Sequence, residues 1–176
     1  TTILFMMKTY LIHPDIKKAE TLPAKFYKDA ETFEDLKEDV FLKSWQFIGD
    51  ENLVRLPQSV HPFVLLDGFL TEPMLLTRDK DEHINCLTNV CTHRGNVVAL
   101  HPGKSKKITC MNHGRRYNLK VEFEHMQEDN DSDDFPRPLD NLHQFPLRKF
   151  GPLLFAGLNF LFTQDKEKLN LIKTIP

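Results

Sequence analysis

The sequence predicts a mainly β fold, an antiparallel sandwich or barrel preceded by a helical arm. Three observations lead there: an apolar stripe at helical spacing before Trp45, strand-sized apolar runs after it, and clusters of turn-forming residues between those runs. The 176 residues are 40% apolar and 27% charged, which suits one core of ordinary size plus some peripheral chain.

The arm comes first. Its apolar stretch Ile3 to Met7 is too short for a signal-peptide core and far below the roughly 20 residues that cross a bilayer. The chain is therefore expected in the cytoplasm with no membrane partner. Met7 followed by Lys8-Thr9-Tyr10 reads as a more natural beginning than Thr1, as if the chain were a processed or cut piece. Pro23 is placed to open a short helical turn over Ala24 to Tyr27, because proline suits the first helical position. From Thr32 to Trp45, Phe33, Leu36, Val40, Phe41 and Trp45 recur at helical spacing. Thr32 and Asp35 stand like a capping box with Asp in place of Glu.

Beyond Trp45 the expected strands lie at Phe63 to Leu66, Met74 to Thr77, Ile84 to Leu87, Ile108 to Thr109 and Leu153 to Phe162. Leu66-Asp67-Gly68, His101-Pro102-Gly103 and the stretch Asp129 to Pro138 punctuate them, as turns between antiparallel strands do. The acidic run Glu128 to Asp134, which leads to Pro136 and Pro138, reads as a solvated loop, with an acidic docking surface as the alternative. The expected organisation is an arm over 1–45 with its helix at about 32–45, a β domain over 46–165, and a polar tail or linker over 166–176. A net charge of -2 and a pI near 6.4 provide no basic field for nucleic acid, so none is expected as a partner.

Cys86, Cys91 and Cys110 are an odd set, which speaks against a disulfide framework and for metal binding by at least two of them. Cys86 lies in a segment, Asn85 to Val90, that reads as a strand, so it is expected to be a small buried hydrophobe. Cys91-Thr92-His93-Arg94-Gly95 is followed, with sixteen residues intervening after His93, by Cys110-Met111-Asn112-His113-Gly114. Each segment offers one thiolate and one imidazole. A typical zinc finger pairs Cys with nearby Cys and His with nearby His. Two mixed pairs suit a dinuclear centre in which one iron takes both sulfurs and the other both imidazoles. Gly95 and Gly114 then serve tight loops that bring main-chain N–H groups toward the sulfurs. A structural zinc module is the non-redox alternative.

These residues resemble the Rieske domain of the ring-hydroxylating oxygenase large subunit. The likeness extends to Phe41 to Gly49 (FLKSWQFIG), Glu72 to Asp79 (EPMLLTRD), Ile84 to Gly95 (INCLTNVCTHRG) and His113 to Leu119 (HGRRYNL), in the family's order. The resemblance implies a Rieske-type fold with a cluster-binding subdomain. It also implies a 2Fe–2S cluster on Cys91, His93, Cys110 and His113 whose chemistry is one-electron transfer. Around the cluster it points to Arg94, Gly95, Gly114 and Tyr117, the last as a hydroxyl donor near a cysteine sulfur or as ordinary packing. Arg94, Arg115 and Arg116 are candidates to offset charge on reduction or to form a docking rim, and Arg94 is preferred because it lies inside the motif.

Respiratory Rieske proteins resemble this chain except for a disulfide between the ligand loops and a hydroxyl residue after His-Gly. Here Asn96, Asn112 and Arg115 stand at those places, so a low potential is expected. Val121 stands where the family usually has glycine. Since a β-branched residue avoids positive φ, an altered turn is expected there.

The resemblance further implies a flavin reductase or ferredoxin as electron donor and a homotrimer in the full-length protein. It places mononuclear Fe(II), where mono- or dioxygenation occurs, in a C-terminal domain that this chain lacks. Asp140 and His143 begin that iron motif, but Arg148 stands where its second histidine belongs, so no catalytic residue is expected in this chain. A stand-alone Rieske ferredoxin is the alternative; the roughly forty residues before the first strand favour the oxygenase component. His13, His61, His83, His101, His125 and His143 are expected to be surface or packing residues.

Overall fold

The computed structural model describes residues 12–126 and 135–158. The expectations for Ile3 to Met7, for the acidic run 128–134, for the end of the last strand and for the tail lie outside the described residues. The chain divides into two units, residues 1–44 and 45–176.

In the first unit the helix is shorter than the apolar spacing predicts and begins earlier. Helix α1 spans Ala30–Leu36, and its cap is Asp29, not Thr32. The Asp29 carboxylate accepts the main-chain N–H of Thr32 at 3.1 Å and its hydroxyl at 2.7 Å, so Thr32 is the partner of the cap. A π-helical turn follows over Lys37–Phe41, where the Leu42 N–H reaches back to the Lys37 carbonyl at 2.9 Å. That wider turn ends the regular 3.6-residue stripe, and Trp45 opens a strand instead of closing the helix. The segment after Pro23 forms turns, with Phe26 N–H on the Pro23 carbonyl at 2.9 Å, and not a helix.

The second unit is built of short antiparallel strands. They are β1 (Trp45–Asp50), β2 (Ser59–Leu65), β3 (Glu72–Arg78), β4 (Ile84–Thr88), β5 (Gly103–Lys104), β6 (Ile108–Thr109), β7 (Arg116–Tyr117), β8 (Phe123–His125), β9 (Gln144–Phe145), β10 (Leu147–Phe150) and β11 (Leu153–Gly157). Three sheets result, in the orders β1-β11-β10, β5-β2-β3-β4-β9 and β6-β7-β8.

The middle sheet explains why Met74 to Thr77 reads as a continuous apolar run: both of its faces are covered. Leu75 on β3 stands opposite Leu87 on β4, and Leu76 stands opposite Cys86. Because side chains alternate along a strand, Leu75 and Leu87 enter one core with Val60, Val98, Ile108 and Tyr117. Met74, Leu76 and Cys86 enter a second core with Leu65, Phe145, Leu154 and Ala156. Cys91 and Cys110 belong to the first core, so Cys86 faces away from them. Its thiol is fully buried, and burial pushes its pKa up to about 12, as suits a small hydrophobe. Thr77 and Asn85 both donate to the Leu119 carbonyl, at 2.6 and 3.1 Å, and so tie the middle sheet to the chain that leaves β7.

The β3–β4 hairpin is held by Asp79, whose Oδ1 accepts the main-chain N–H groups of Asp81 at 2.8 Å and His83 at 2.9 Å. Asp79, Asp81 and His83 bring potential metal-ligating atoms within 4.8 Å of one another. The Lys120 ammonium already lies 3.0 Å from Asp81 and 3.8 Å from Asp79, supplying the positive charge there.

Val121 corrects the sequence expectation, since it does enter the positive region, at φ 120°. The turn around it is over-determined. Asn118 Oδ1 accepts the N–H groups of Lys120 at 2.9 Å and Glu122 at 3.0 Å, Asn118 N–H donates to the Glu122 carbonyl, and Leu142 N–H donates to the Val121 carbonyl. The side chain packs against the first core. Strain of this kind costs about 1–3 kcal/mol. Alanine at this position would keep the strain and lose the packing, whereas glycine would lose both. Val121→Gly is therefore expected to be more stable than Val121→Ala by about 1 kcal/mol, the reverse of the usual order. Urea unfolding midpoints of the two variants check this, and Ala at or above Gly contradicts it.

Candidate metal centre

The two Cys-His segments fold into two loops of the same design. In the first, Cys91 N–H donates to the Asn96 carbonyl at 2.8 Å and Gly95 N–H donates to the Cys91 carbonyl at 3.0 Å. In the second, Cys110 N–H donates to Arg115 at 2.8 Å and Gly114 N–H to Cys110 at 3.0 Å. Both closures need a residue in the left-handed region at the fifth position, and Gly95 and Gly114 supply it at φ 71° and 67°. No heavy atom lies within 4 Å of a Cβ added at either glycine, so the backbone angle is the requirement and not lack of room.

Each loop is clamped at its base. The second closes on the β6–β7 ladder, Thr109 opposite Arg116 and Ile108 opposite Tyr117. The first closes on a single bridge, Val90 to Val97, reinforced by the Asn89 side chain. Asn89 accepts the Ala99 N–H and donates to the Ala99 carbonyl, both at 2.9 Å, imitating a strand partner. The sequence reading missed Asn89 because an asparagine beside a strand looks like ordinary turn punctuation.

The loops bring the four side chains together in like pairs. Cys91 and Cys110 are 3% and 2% exposed and lie in the same core. Burial opposes ionisation of Cys110. It is outweighed by hydrogen bonds from the Asn112 main chain, Cys91, the His113 main chain and the Asn96 amide, which together hold its pKa below the usual thiol value. The Asn96 Nδ2 lies 3.8 Å from Cys110 Sγ, reaching across from the other loop. The His93 and His113 rings meet edge to face at 4.6 Å between centroids, and both are partly exposed.

This arrangement fits a two-centre group. Tetrahedral zinc, with Zn–S near 2.3 Å and Zn–N near 2.0–2.1 Å, would draw its four donor atoms within about 4 Å of one another. Among the described residues, the Asp79 group is where three such atoms lie within 4.8 Å, and the Cys-His set is not that compact. Two thiols in the core and two imidazoles nearer the surface suit a cluster whose two irons take one pair each.

Around Cys91 the polar contacts are dense. Tyr117, fully buried, places Oη 3.2 Å from Cys91 Sγ and 3.0 Å from Thr92 Oγ1. Burial first, and then the hydrogen bond with Cys91, raise the pKa of this phenol to about 12, so it keeps its hydrogen. The guanidinium inside the site is Arg115, which is 4% exposed, whereas Arg94 and Arg116 are exposed. Arg115 donates to Thr92 Oγ1 at 2.7 Å and to Asp140 Oδ1 at 3.1 Å. Asp140, which the sequence grouped with His143, is thus Arg115's counter-ion. Burial works against its ionisation, but the Arg137 N–H and the Arg115 charge prevail and hold its carboxyl below the usual range.

Residues 44–146 match the Rieske [2Fe-2S] domain. The chain belongs to that family. Over 154 residues this Rieske domain chain is 27% identical to the carnitine monooxygenase oxygenase subunit of Escherichia coli (strain K12), covering 87% of the chain and 40% of that relative. It is 24% identical to the methanesulfonate monooxygenase hydroxylase subunit alpha of Methylosulfonomonas methylovora, covering 85% of the chain and 38% of the relative. Among solved structures, the quaternary ammonium Rieske monooxygenase CntA with L-carnitine superposes at a TM-score of 0.73 with 23% identity, covering 87% of this chain and 45% of that one. The Rieske domain chain thus spans about two fifths of the length of the curated relatives it matches. Among its described residues no helix is long and apolar enough to cross a membrane.

Two stability predictions follow from the loops. Gly95→Ala and Gly114→Ala are each expected to lower the unfolding free energy by about 1–2 kcal/mol, the cost of a left-handed alanine, without a clash; a loss above about 4 kcal/mol would show that space matters too. Because the Asp140 pKa is lower folded than unfolded, its contribution is present above the unfolded value near 3.9 and is lost as pH falls through the folded one. Asp140→Asn should therefore flatten the fall in stability below about pH 4, measured by denaturant unfolding across pH.

Proposed function

We propose that Cys91, His93, Cys110 and His113 hold a 2Fe–2S cluster and that the chain passes single electrons as the electron-delivery domain of a Rieske oxygenase. The observation that carries this reading is the like pairing across the loops, thiol with thiol in the core and imidazole with imidazole at the surface. When bound there, the cluster supplies one-electron exchange. The chain's residues do the rest. The buried thiols exclude water from the sulfur side, and the Asn112 and His113 main chains and Asn96 donate toward Cys110. The partly exposed imidazoles form the edge where a redox partner makes contact.

On this reading, electrons arrive from a flavin reductase or ferredoxin and leave for a mononuclear iron that these residues do not provide. The recipient iron would lie in a C-terminal domain, in a homotrimer of full-length cytoplasmic subunits. The match to oxygenase subunits of more than twice this length supports it. An in-frame continuation beyond Pro176 bearing two histidines and a carboxylate would favour the oxygenase, and a stop codon would favour a free electron carrier.

Absorption and EPR spectra of the purified chain test the ligands. Cys91→Ser and His113→Ala are expected to abolish the Rieske spectrum, and Cys86→Ser to leave it intact. A colourless protein with one zinc per chain would refute the reading. The cluster should titrate in the lower half of the Rieske range of roughly -150 to +300 mV, and a value well above about +150 mV would contradict the influence assigned to the missing disulfide and hydroxyl.

A further inference from the structure

Beside the four proposed ligands lies a buried ion pair that does not hold the cluster. Arg115 and Asp140 are 4% and 7% exposed, and the guanidinium lies against the neighbouring rings of Phe123 and Phe135, at 5.1 and 5.4 Å. Buried pairs of this kind are often no more stabilising than apolar side chains of the same volume, so stability is a weak account of it.

The hydrogens say more. Arg115 Nη1 can only donate, and it donates to Thr92 Oγ1 at 2.7 Å. The Asp140 carbonyl can only accept, and it takes the single Thr92 hydroxyl hydrogen at 2.8 Å. Tyr117 Oη is left between two acceptors, Thr92 Oγ1 at 3.0 Å and Cys91 Sγ at 3.2 Å, with one hydrogen to give. A metal-bound Cys91 is a thiolate and has no hydrogen of its own, so it competes with Thr92 for that of Tyr117.

We infer that Arg115, fixed by Asp140, is a positioning residue that directs the Tyr117 hydrogen to Cys91 Sγ by making Thr92 Oγ1 a poor second acceptor, and so raises the reduction potential of the cluster. One of the two lone pairs of Thr92 Oγ1 is taken by the charge-assisted bond from Arg115, and the cation beside it repels the positive end of a second O–H dipole. A hydrogen bond to a ligand sulfur favours the more negative, one-electron-reduced state of the cluster. The inference rests on the ligand assignment proposed above.

The test is a set of redox titrations, followed by EPR, on the purified chain with its cluster. Tyr117→Phe lowers the potential. Arg115→Gln combined with Asp140→Asn, which removes both charges and leaves neither buried alone, lowers it by a similar amount because Thr92 then captures the hydrogen. Adding Thr92→Val to that pair returns the potential toward the parent value, since sulfur is again the available acceptor. In a Tyr117→Phe background the Arg115 and Asp140 substitutions leave the potential where it was. A simple charge or packing effect would survive both the Thr92→Val and the Tyr117→Phe backgrounds, and that result overturns the inference, as does an unmoved potential in the paired variant. Should the paired variant fail to fold, electron-nuclear double resonance on the reduced parent decides. It is expected to show a strongly coupled exchangeable proton that Tyr117→Phe removes, and its absence overturns the inference. A parent chain without a Rieske EPR signal refutes the ligand assignment itself, whereas a signal without the coupling refutes the Arg115 inference alone.

Discussion

Two short hydrogen bonds, from the Cys91 N–H to Asn96 and from the Cys110 N–H to Arg115, are what the site depends on. Each pins both ends of a loop at its cysteine, and each is satisfied only if the residue before the acceptor turns left-handed. With those closures made, the thiol enters the core while the histidine two or three positions on remains near the surface. The bases of the loops come from unlike sources, a two-residue ladder in one and a mimic of a strand, Asn89, in the other. The same loop is thus reached from two different local sequences. The two loops share their closure and their left-handed glycine and differ only in what supports them.

What could be read from the chain in advance follows physical range. The Cys-x-His and Cys-x-x-His pairs, the glycines behind them and the strands at 63–66, 74–77, 84–87 and 108–109 are local patterns, and the structure places strand or loop where each was expected. The facing of Cys86 was legible in principle from the two-residue period, since Leu87 and Cys86 must part company. The helix was legible as a helix but not in its limits: Asp29 caps ahead of the apolar stripe, and a π turn breaks the period before Trp45. Strands of two residues, such as β5 and β7, carry too little sequence to announce themselves.

The least legible part was the polar surround. Arg115 and Asp140 are twenty-five positions apart, and nothing local marks either as the other's partner. Arginine is most often a surface residue, which made Arg94 inside the motif look more promising than Arg115 just outside it. The structure buries Arg115 and leaves Arg94 exposed. Arg115 is planar and lies against the Phe123 and Phe135 rings, so it packs like an aromatic side chain while adding charge and five donors.

The shared middle sheet has a thermodynamic consequence. Leu75 and Leu76 are consecutive residues of one strand, yet they belong to different cores. Neither core can melt while the other keeps its packing, because β3 would have to be ordered and disordered at once, so the two halves make one cooperative unit. Whatever binds in the cysteine loops therefore stabilises Leu154 and Ala156 on the far side as much as its own neighbours, by mass action through the common strand. Loss of the bound group is felt as a lower melting point of the whole β unit, and the occupancy of the loops can be followed by a probe placed in the opposite core.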